Sequence, residues 1–278
     1  MDLTEIRHEA NEVRKDVIRM IAHAGSGHPG GSLSCADILA ALYFGGVLSF
    51  DPHDPKSEAR DYFFLTKGHV APALYATLAH AGFFPQEELM TLRQIGSRLQ
   101  GHPDSNLLDC IEVSTGSLGQ GLSIAAGTAC GLRLKHQANR VFALMGDGEC
   151  EEGQVWEAAN FAASQKLGNL IAIVDRNGLQ IDGPCCDVCD AGEPGEKFAA
   201  FGWEVSTVDG HDIGALIALL TALKASQAGV PHAVIASTVK GKGVSFMEGQ
   251  AAWHGKAPNA EQEAAALAEL AGMEVYGD

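Results

Sequence analysis

The sequence predicts an α/β fold in which helices cover both faces of a parallel sheet. Short apolar runs, bounded by glycine and polar residues, occur at Tyr62–Leu65 and at residues 141–145 and 170–174, a pattern typical of buried strands. Segments with helical spacing separate such runs, and alternating strands and helices favour a parallel sheet. A chain of 278 residues can bury a substantial core. We therefore expect one large domain.

The first part of the chain contains a long predicted helix and a glycine-rich loop. Apolar residues near helical spacing, with charges between them, predict an amphipathic helix over Leu3–Ala24. Residues 25–31 (GSGHPGG) predict a loop. Helical spacing resumes over residues 34–43, with Ser32 or Ser34 as the expected cap.

The second half of the chain continues the alternation of strands and helices. A helix is expected over residues 152–165. Strands are predicted at residues 203–208 and 233–238, with a helix between them over residues 212–226. An alanine- and glutamate-rich stretch predicts a last helix over residues 259–271. No repeat or linker divides the chain.

The composition excludes several classes of partner. The formal charge is −16 and the pI is near 5.0, whereas nucleic acids and anionic membranes attract clustered Lys and Arg. No apolar run approaches the roughly 20 residues of a membrane span, and the N-terminus is charged and helix-like, unlike a signal peptide. We therefore expect a cytoplasmic protein.

Seven cysteines are scattered through the chain, which fits reduced intracellular thiols better than a disulfide framework. Cys185, Cys186 and Cys189 form one cluster, and Cys186 and Cys189 have the spacing of half a zinc site. The chain has no second pair with this spacing. Free thiols in a surface loop are the favoured interpretation, and a redox or metal role stays open.

The polar groups that follow two predicted strands indicate a site for a metal and a diphosphate. Asp147 follows the first strand in Gly146-Asp147-Gly148-Glu149, and Asn177 follows the next about thirty residues later. The carboxyl ends of parallel strands lie at one edge of a sheet, where ligands bind. A carboxylate with a carboxamide suits Mg²⁺ or Ca²⁺ better than zinc. Gly148 allows close approach of a phosphate, and the helix over residues 152–165 can present its N-terminus there.

This pairing resembles the motif of thiamine diphosphate enzymes, and five more segments narrow the resemblance to the transketolase family. They follow the family's order across nearly the whole chain, at residues 26–32 (SGHPGGS), 67–69 (KGH), 101–104 (GHPD), 114–121 (STGSLGQG) and 253–255 (WHG). The resemblance implies a diphosphate-binding domain over residues 1–278, with thiamine diphosphate as cofactor and Mg²⁺, or alternatively Ca²⁺, as the metal.

The resemblance also assigns roles to individual residues near the cofactor. It implies that the metal ligands are the side chains of Asp147 and Asn177 and the backbone carbonyl of Leu179. The groups that contact the cofactor are His69, the amide of Gly148, His254, Asn177, and the ring segment formed by Gly116, Ser117 and Leu118. Ser117 departs from the family, because many members have proline there.

Histidines are the expected catalytic residues, since an imidazole can donate or accept a proton near neutral pH and can bind a sugar hydroxyl. The resemblance places His28, His102 and His254 against the substrate. Six further histidines lack such a context, and we expect surface or structural roles for them: His8, His23, His53, His136, His211 and His232.

Two nearby features are given other roles. For Glu149 and Glu152, stabilisation of a helix N-terminus or a subunit contact is favoured over paired acid–base work. Residues 240–243 (KGKG) are predicted to form a lid more readily than a phosphate cradle.

The implied activity is that of the N-terminal subunit of a split transketolase in the pentose phosphate pathway. Such an enzyme transfers a two-carbon ketol unit from a ketose phosphate to an aldose. The pyrimidine-binding domain is expected on a separate C-terminal subunit, with a heterotetramer as the first expectation. The alternatives are a transketolase for a branched or sulfonated sugar, a non-catalytic cofactor-binding module, and other thiamine enzymes such as 1-deoxyxylulose-5-phosphate synthase or the α chain of a 2-oxoacid dehydrogenase.

Overall fold

The computed structural model describes residues 1–276, and a parallel sheet of five strands forms its centre. The strands of the described chain are β1 (Tyr62–Leu65), β2 (Val141–Gly146), β3 (Leu170–Arg176), β4 (Leu179–Gln180), β5 (Gly183–Pro184), β6 (Glu204–Asp209) and β7 (His232–Ser237). The sheet has the order β1-β2-β3-β7-β6 with every pair parallel, and β4 and β5 form a separate antiparallel hairpin. The predicted fold class is confirmed.

Helices cover both faces of the sheet. They are α1 (Leu3–Ala24), α2 (Pro29–Ser34), α3 (Ala36–Tyr43), α4 (Ala71–His80), α5 (Gln120–Leu134), α6 (Gly153–Ser164), α7 (Cys185–Val188), α8 (Pro194–Ala200), α9 (Ile213–Ala225) and α10 (Ala260–Tyr276). Residues of α1, α3, α4, α9 and α10 belong to one apolar cluster, and residues of α5, α6 and α8 belong to the other. No helix of residues 1–276 is both long enough and apolar enough to span a membrane.

Strand β2 shows how the sequence produces these two layers. Phe142 and Leu144 pack into the first cluster, whereas Val141, Ala143 and Met145 pack into the second. Successive side chains of a strand point to opposite faces, so a strand that is covered on both sides must be apolar at every position. This requirement explains the continuous apolar run that predicted the strand.

Helix α1 has the predicted bounds because both of its ends are specified locally. Asp2 and Glu5 form a capping box, in which each side chain accepts a hydrogen bond from the other residue's backbone N–H. Gly25 ends the helix with φ of 62°, a left-handed conformation that costs glycine little.

The predictions for the next segment were partly wrong. The loop is shorter than residues 25–31, because Pro29 starts helix α2. Neither Ser32 nor Ser34 caps the following helix. Both residues lie inside α2. The Ser32 hydroxyl donates to the His28 carbonyl at 2.7 Å, as helical serines do when they bond to the preceding turn, and the Ser34 hydroxyl lies 3.0 Å from the Gly31 carbonyl oxygen.

The other predicted elements agree with the structure within a few residues, except near Asp147. A short 3-10 helix over Gly148–Glu151 intervenes between β2 and α6. The long helix begins at Gly153, one residue after the predicted start, and the unpredicted 3-10 turn is the element that follows Asp147 directly. The last helix, α10, extends beyond the predicted residues 259–271.

Candidate active site

The candidate site lies at the carboxyl edge of the sheet, where segments that follow four strands meet. His69 follows β1, Asp147 follows β2, Asn177 follows β3 and Lys240 follows β7. Because β1, β2, β3 and β7 are neighbours and parallel, their carboxyl ends open onto one edge. The sheet order therefore gathers residues that are far apart in the sequence.

Asp147 and the Asn177 loop meet as the sequence predicted. The Asp147 carboxylate is 8% exposed and accepts hydrogen bonds from the backbone N–H groups of Gly148 at 2.9 Å and Gly178 at 2.5 Å. The Asn177 side-chain oxygen accepts from Leu179 N–H at 3.1 Å. Burial, followed by the charge of Asp175, raises the pKa of Asp147. A bound cation would offset both effects.

The oxygen atoms at this loop fit a hard divalent cation. A carboxylate, a carboxamide and a backbone carbonyl are the oxygen ligands that Mg²⁺ and Ca²⁺ prefer. Within residues 1–276 no group of three or more His, Cys, Asp or Glu side chains could hold a metal. Neutral oxygens such as those of Asn177 and Leu179 are therefore needed to complete a cation site around Asp147.

Four predicted histidines form one group, which we call the histidine cluster: His28, His69, His102 and His254. The ring centroid of His28 lies 5.2 Å from that of His69, 5.5 Å from that of His254 and 6.5 Å from that of His102. The rings of His69 and His254 stack at 5.1 Å. The structure thus brings together residues from four separate motifs.

Burial and neighbouring cations keep the histidine cluster neutral. Burial, then Lys67, lowers the pKa of His69 to about 2, and burial, then Lys240, lowers that of His254 to about 3. Burial, then Arg93, lowers the pKa of His28 to about 4. His102 is exposed at the edge of the cluster, and partial desolvation, then Arg93, lowers its pKa. A neutral imidazole has one donor and one acceptor nitrogen, so each ring can bind a hydroxyl in either sense.

Two buried polar atoms beside the cluster support a ligand site. His28 Nδ1 and Thr115 Oγ1 have no hydrogen-bond partner in the described chain. A buried polar group without a partner is costly. A bound polar molecule would satisfy such atoms.

The ring segment lies beside the histidine cluster. Gly116 has φ of 144°, and a Cβ atom at this position would lie 2.9 Å from the His102 ring, so only glycine lets the two approach. Ser117 is exposed and Leu118 is half-buried. The segment therefore brings its backbone at Gly116 against the His102 ring.

The role of Lys240 was not predicted from the sequence. The structure buries this residue, which was assigned to a lid, at 2% exposure, with Nζ 3.0 Å from the Leu179 carbonyl oxygen and 2.9 Å from His254 Nδ1. Burial, then the charge of Lys67, lowers its pKa to about 8. Lys240 thus links the loop that carries Asn177 and Leu179 to the histidine cluster. Its place just after β7 could have indicated this role.

The prediction that Glu149 stabilises the N-terminus of the helix after Asp147 was wrong. Its carboxylate is 3% exposed and accepts hydrogen bonds from Thr66 Oγ1 at 2.8 Å, Gly119 N–H at 3.0 Å and Gly146 N–H at 3.2 Å. The 3-10 turn after Asp147 directs Glu149 into the protein, where it joins the ends of β1 and β2 to the start of α5. Glu152 precedes α6 and makes no side-chain capping bond.

A buried ion-pair network beneath the site was also missed. We define it as Lys67, Asp175, Ser34 and Thr238. Lys67 Nζ and the hydroxyls of Ser34 and Thr238 donate to the Asp175 carboxylate, with the Ser34 bond at 2.5 Å. Lys67 is 2% exposed and Asp175 is fully buried. Burial alone would raise the pKa of Asp175, but the Lys67 charge holds it below its ordinary value.

The predicted free thiols are confirmed. All seven cysteines are free, and Cys186 and Cys189 are exposed while Cys185 is half-buried. The metal alternative has no support in the described chain, where no group of His, Cys, Asp or Glu side chains could hold a metal.

The fold and the site define a class of protein: an α/β domain with a buried carboxylate, a buried lysine and a cluster of histidines at the carboxyl ends of its parallel strands. Residues 6–277 match the family described as transketolase, thiamine diphosphate binding domain. The chain therefore belongs to the transketolase family.

Individual relatives agree with this assignment. The chain is 43% identical over 266 residues to the 6-deoxy-6-sulfo-D-fructose transketolase subunit SqwG of Clostridium sp., with 96% of each chain covered. It is 40% identical over 270 residues to an apulose-4-phosphate transketolase subunit of Phocaeicola vulgatus, a match that covers 97% of this chain and 94% of that protein.

A solved structure shows the same fold. The transketolase of Campylobacter jejuni superposes with a TM-score of 0.90 at 31% identity, covering 98% of this chain but 43% of that one. The chain thus spans less than half of that transketolase. The predicted class, a transketolase-type transferase subunit with thiamine diphosphate as cofactor, is confirmed.

Proposed function

We propose that this chain is the N-terminal subunit of a two-chain transketolase, which transfers a two-carbon ketol unit from a ketose phosphate to an aldose. The observation that carries the proposal is the convergence of the histidine cluster with Asp147 and Lys240 at one edge of the sheet. Thiamine diphosphate supplies the electron sink that carbon–carbon bond cleavage requires. The residues of this chain would position the cofactor and the sugar, neutralise the charge of the diphosphate and transfer protons during the reaction.

Asp147, Asn177 and the Leu179 carbonyl would hold the divalent ion, with Mg²⁺ as the first candidate and Ca²⁺ as the second. Gly148, Asn177 and the ring segment would lie along the cofactor. A diphosphate carries several negative charges. Lys240 and the bound metal would supply positive charge beside it in an otherwise acidic protein. Electrostatic attraction in a buried site is strong because water does not screen it.

The histidines divide into two proposed roles. His69 and His254 stack on each other beside Lys240 and would donate hydrogen bonds to the diphosphate. His28, His102 and His254 would orient the sugar hydroxyls and move protons during cleavage and transfer. Their lowered pKa values keep them able to accept a proton at neutral pH.

The partner is proposed to be a C-terminal transketolase subunit that carries the pyrimidine-binding domain. Two relatives with matching length are named as transketolase subunits, which supports a second chain, and we propose a heterotetramer with two copies of each. We also propose that residues 1–278 form one domain and that the enzyme works in the cytoplasm, where free thiols such as these persist.

A reconstitution assay tests this function. Ketol transfer from xylulose 5-phosphate to ribose 5-phosphate is measured with thiamine diphosphate and Mg²⁺, using the chain alone, the polypeptide encoded beside it, and the mixture. Activity in the mixture alone is expected. Activity of this chain alone would contradict the two-chain proposal, and a mixture that binds no cofactor would contradict the enzyme assignment.

A second arm of the assay identifies the sugar. Because two relatives are named for 6-deoxy-6-sulfo-D-fructose and apulose 4-phosphate, both ketoses are tested as donors beside xylulose 5-phosphate. A kcat/KM highest for xylulose 5-phosphate supports the pentose phosphate reaction. A preference for either of the other donors would replace it with a specialised transketolase.

A further inference from the structure

Arg93 lies beside two substrate-facing histidines but belongs to none of the motifs that predicted the site. Its Nη1 lies 3.2 Å from Ser26 Oγ and its Nη2 lies 3.5 Å from the Gly101 carbonyl oxygen. Ser26 precedes His28 by two residues, and Gly101 directly precedes His102. One guanidinium therefore contacts both loops that carry these histidines.

The fit between Arg93 and the second loop is close. A Cβ atom on Gly101 would lie 2.8 Å from the Arg93 Cζ atom, so a side chain at this position would push the guanidinium out of its place. The same loop is held from its other side by Tyr75, whose hydroxyl lies 3.1 Å from the His102 carbonyl oxygen. Arg93 and Tyr75 thus fix the backbone on either side of His102.

The backbone of Arg93 is strained. Its φ of 60° is left-handed, which is unfavourable for a residue with a long side chain. Such strain persists where the surrounding structure uses the residue. A hydrogen bond from Arg93 N–H to the Leu99 carbonyl at 2.8 Å holds the turn in place.

The charge of Arg93 is not neutralised by a carboxylate within residues 1–276, and its buried Nε atom has no hydrogen-bond partner there. Arg98, five residues later, pairs instead with Glu88 at 2.6 Å. After desolvation, the unpaired Arg93 charge is the next cause that lowers the pKa values of both His28 and His102. The other charged or titratable groups near His28 are Lys240 and the three other rings of the histidine cluster.

We propose that Arg93 is a positioning residue for the sugar-facing histidines: its guanidinium fixes the Ser26 and Gly101 loops and places a permanent positive charge beside His28 and His102. The charge adds to desolvation in disfavouring protonation of both rings, so that they can accept hydroxyl protons. This inference rests on the proposed function for the role of the two histidines, but its electrostatic part does not.

The experiment compares three variants of the full chain. Arg93→Gly removes the side chain and relieves the backbone strain, so folding should be retained. Arg93→Lys keeps a charge without the planar fork. Lys166→Gly is the matched control, because Lys166 is a basic residue with φ of 53° that is exposed on the turn after α6, outside the site.

The first readout is the titration of His28 and His102 by NMR, with ¹³C-labelled histidine and assignment by His28→Gln and His102→Gln. In Arg93→Gly the pKa values of both histidines should rise. They should stay near their original values in Arg93→Lys and be unchanged in Lys166→Gly. Equal pKa values in Arg93→Gly and Lys166→Gly would overturn the electrostatic part.

The second readout is ketol transfer by the chain reconstituted with its partner. Arg93→Gly should lower kcat/KM roughly 10- to 100-fold, as small misplacements of catalytic groups do, and should move the acidic limb of the pH profile to higher pH. Arg93→Lys should restore the pH profile but only part of kcat/KM. A kcat/KM within twofold of the Lys166→Gly complex would overturn the positioning role. If no complex transfers ketol units, the proposed function fails, while the NMR result still decides the inference.

Discussion

The ion-pair network and the histidine cluster lie side by side at the same edge of the sheet, yet they are built in opposite ways. In the network, Lys67 and two hydroxyls satisfy the buried Asp175 carboxylate. In the cluster, four rings contact one another, and His28 Nδ1 has no partner within the described chain. The first set of polar groups is complete without a ligand, whereas the second is not.

This difference separates groups that hold the fold from groups that serve a ligand. Buried charges persist when they are paired and hydrogen-bonded, as in the network. Polar groups left without a partner cost stability, so their presence at a strand-end cleft indicates that something else binds them. Four variants, taken from the largest expected effect to the smallest, test this division.

Breaking the ion-pair network should cost the most stability. Lys67→Met leaves Asp175 as an uncompensated buried charge, and such single removals destabilise proteins by about 3–5 kcal/mol. The free energy of unfolding of the chain is measured with urea. The double variant Lys67→Met/Asp175→Leu should recover part of the loss, because it removes both charges. A loss below about 1 kcal/mol in the single variant would show that the network does not hold the fold.

Removing the metal ligand should cost cofactor binding and not stability. Asp147→Asn is expected to weaken Mg²⁺-dependent retention of thiamine diphosphate by the reconstituted complex by at least about 100-fold, since even outer-shell changes cost 10- to 100-fold. The raised pKa of Asp147 means that folding disfavours its ionised form, which offsets the loss of one of the two backbone hydrogen bonds that its carboxylate accepts. The free energy of unfolding at neutral pH should therefore change by less than about 1 kcal/mol. The exposed Asp109→Asn is the control, and equal retention by the two variants would refute the assigned ligand.

Replacing a single histidine of the cluster should also cost cofactor binding rather than stability, with a smaller effect than replacing Asp147. The His69 ring makes no hydrogen bond to another residue of the described chain, and its pKa of about 2 keeps it neutral. His69→Asn should therefore change the free energy of unfolding by less than about 1 kcal/mol while weakening cofactor binding about 10-fold, the worth of one hydrogen bond to a charged group. His53→Asn, in an exposed loop, is compared in both measurements. A large loss of stability without a loss of binding would place His69 with the network.

Replacing His80 should have the smallest effect of the four. Like Lys67 in the ion-pair network, His80 is paired with carboxylates of the same chain. Its Nδ1 lies 2.8 Å from Glu9 and its Nε2 lies 2.9 Å from Asp16, so it ties α4 to α1. Burial alone would lower the pKa of His80, but hydrogen bonds to Asp16 and Glu9 raise it. A raised pKa stabilises the fold below the ordinary value of 6.5, and this stabilisation is lost as the pH rises through the higher folded value.

His80→Gln should therefore cost about 1 kcal/mol near pH 6 and less at pH 9. Urea unfolding at several pH values measures the difference, with His53→Gln as the reference. Because the lowered pKa of Asp16 adds stability only above its ordinary acidic range, the comparison is made above pH 5. A cost that is the same at pH 6 and pH 9 would mean that protonated His80 does not contribute to stability.

Most elements of the fold could be predicted from the sequence because the signals for them are local. The apolar runs of β2 and β3 reflect burial on both faces, and the ends of α1 are specified by Asp2 and Gly25. The incorrect assignments share a physical cause. Ser34 and Glu149 were given roles that exposed polar residues have at helix ends, but the fold buries both against distant partners, and local patterns do not report such burial.

The sequence by itself determined which residues follow the strands, and hence the Asp147 and Asn177 pair and the four histidine motifs, because strand ends and glycine turns depend on neighbouring residues. The tertiary structure alone decided which strand ends are adjacent. Strand β7 lies next to β3, and this order places Lys240 on the Leu179 carbonyl. Lys67 meets Asp175 across 108 residues of chain for the same reason: contacts between strand ends depend on the order of strands in the sheet, which no local pattern specifies.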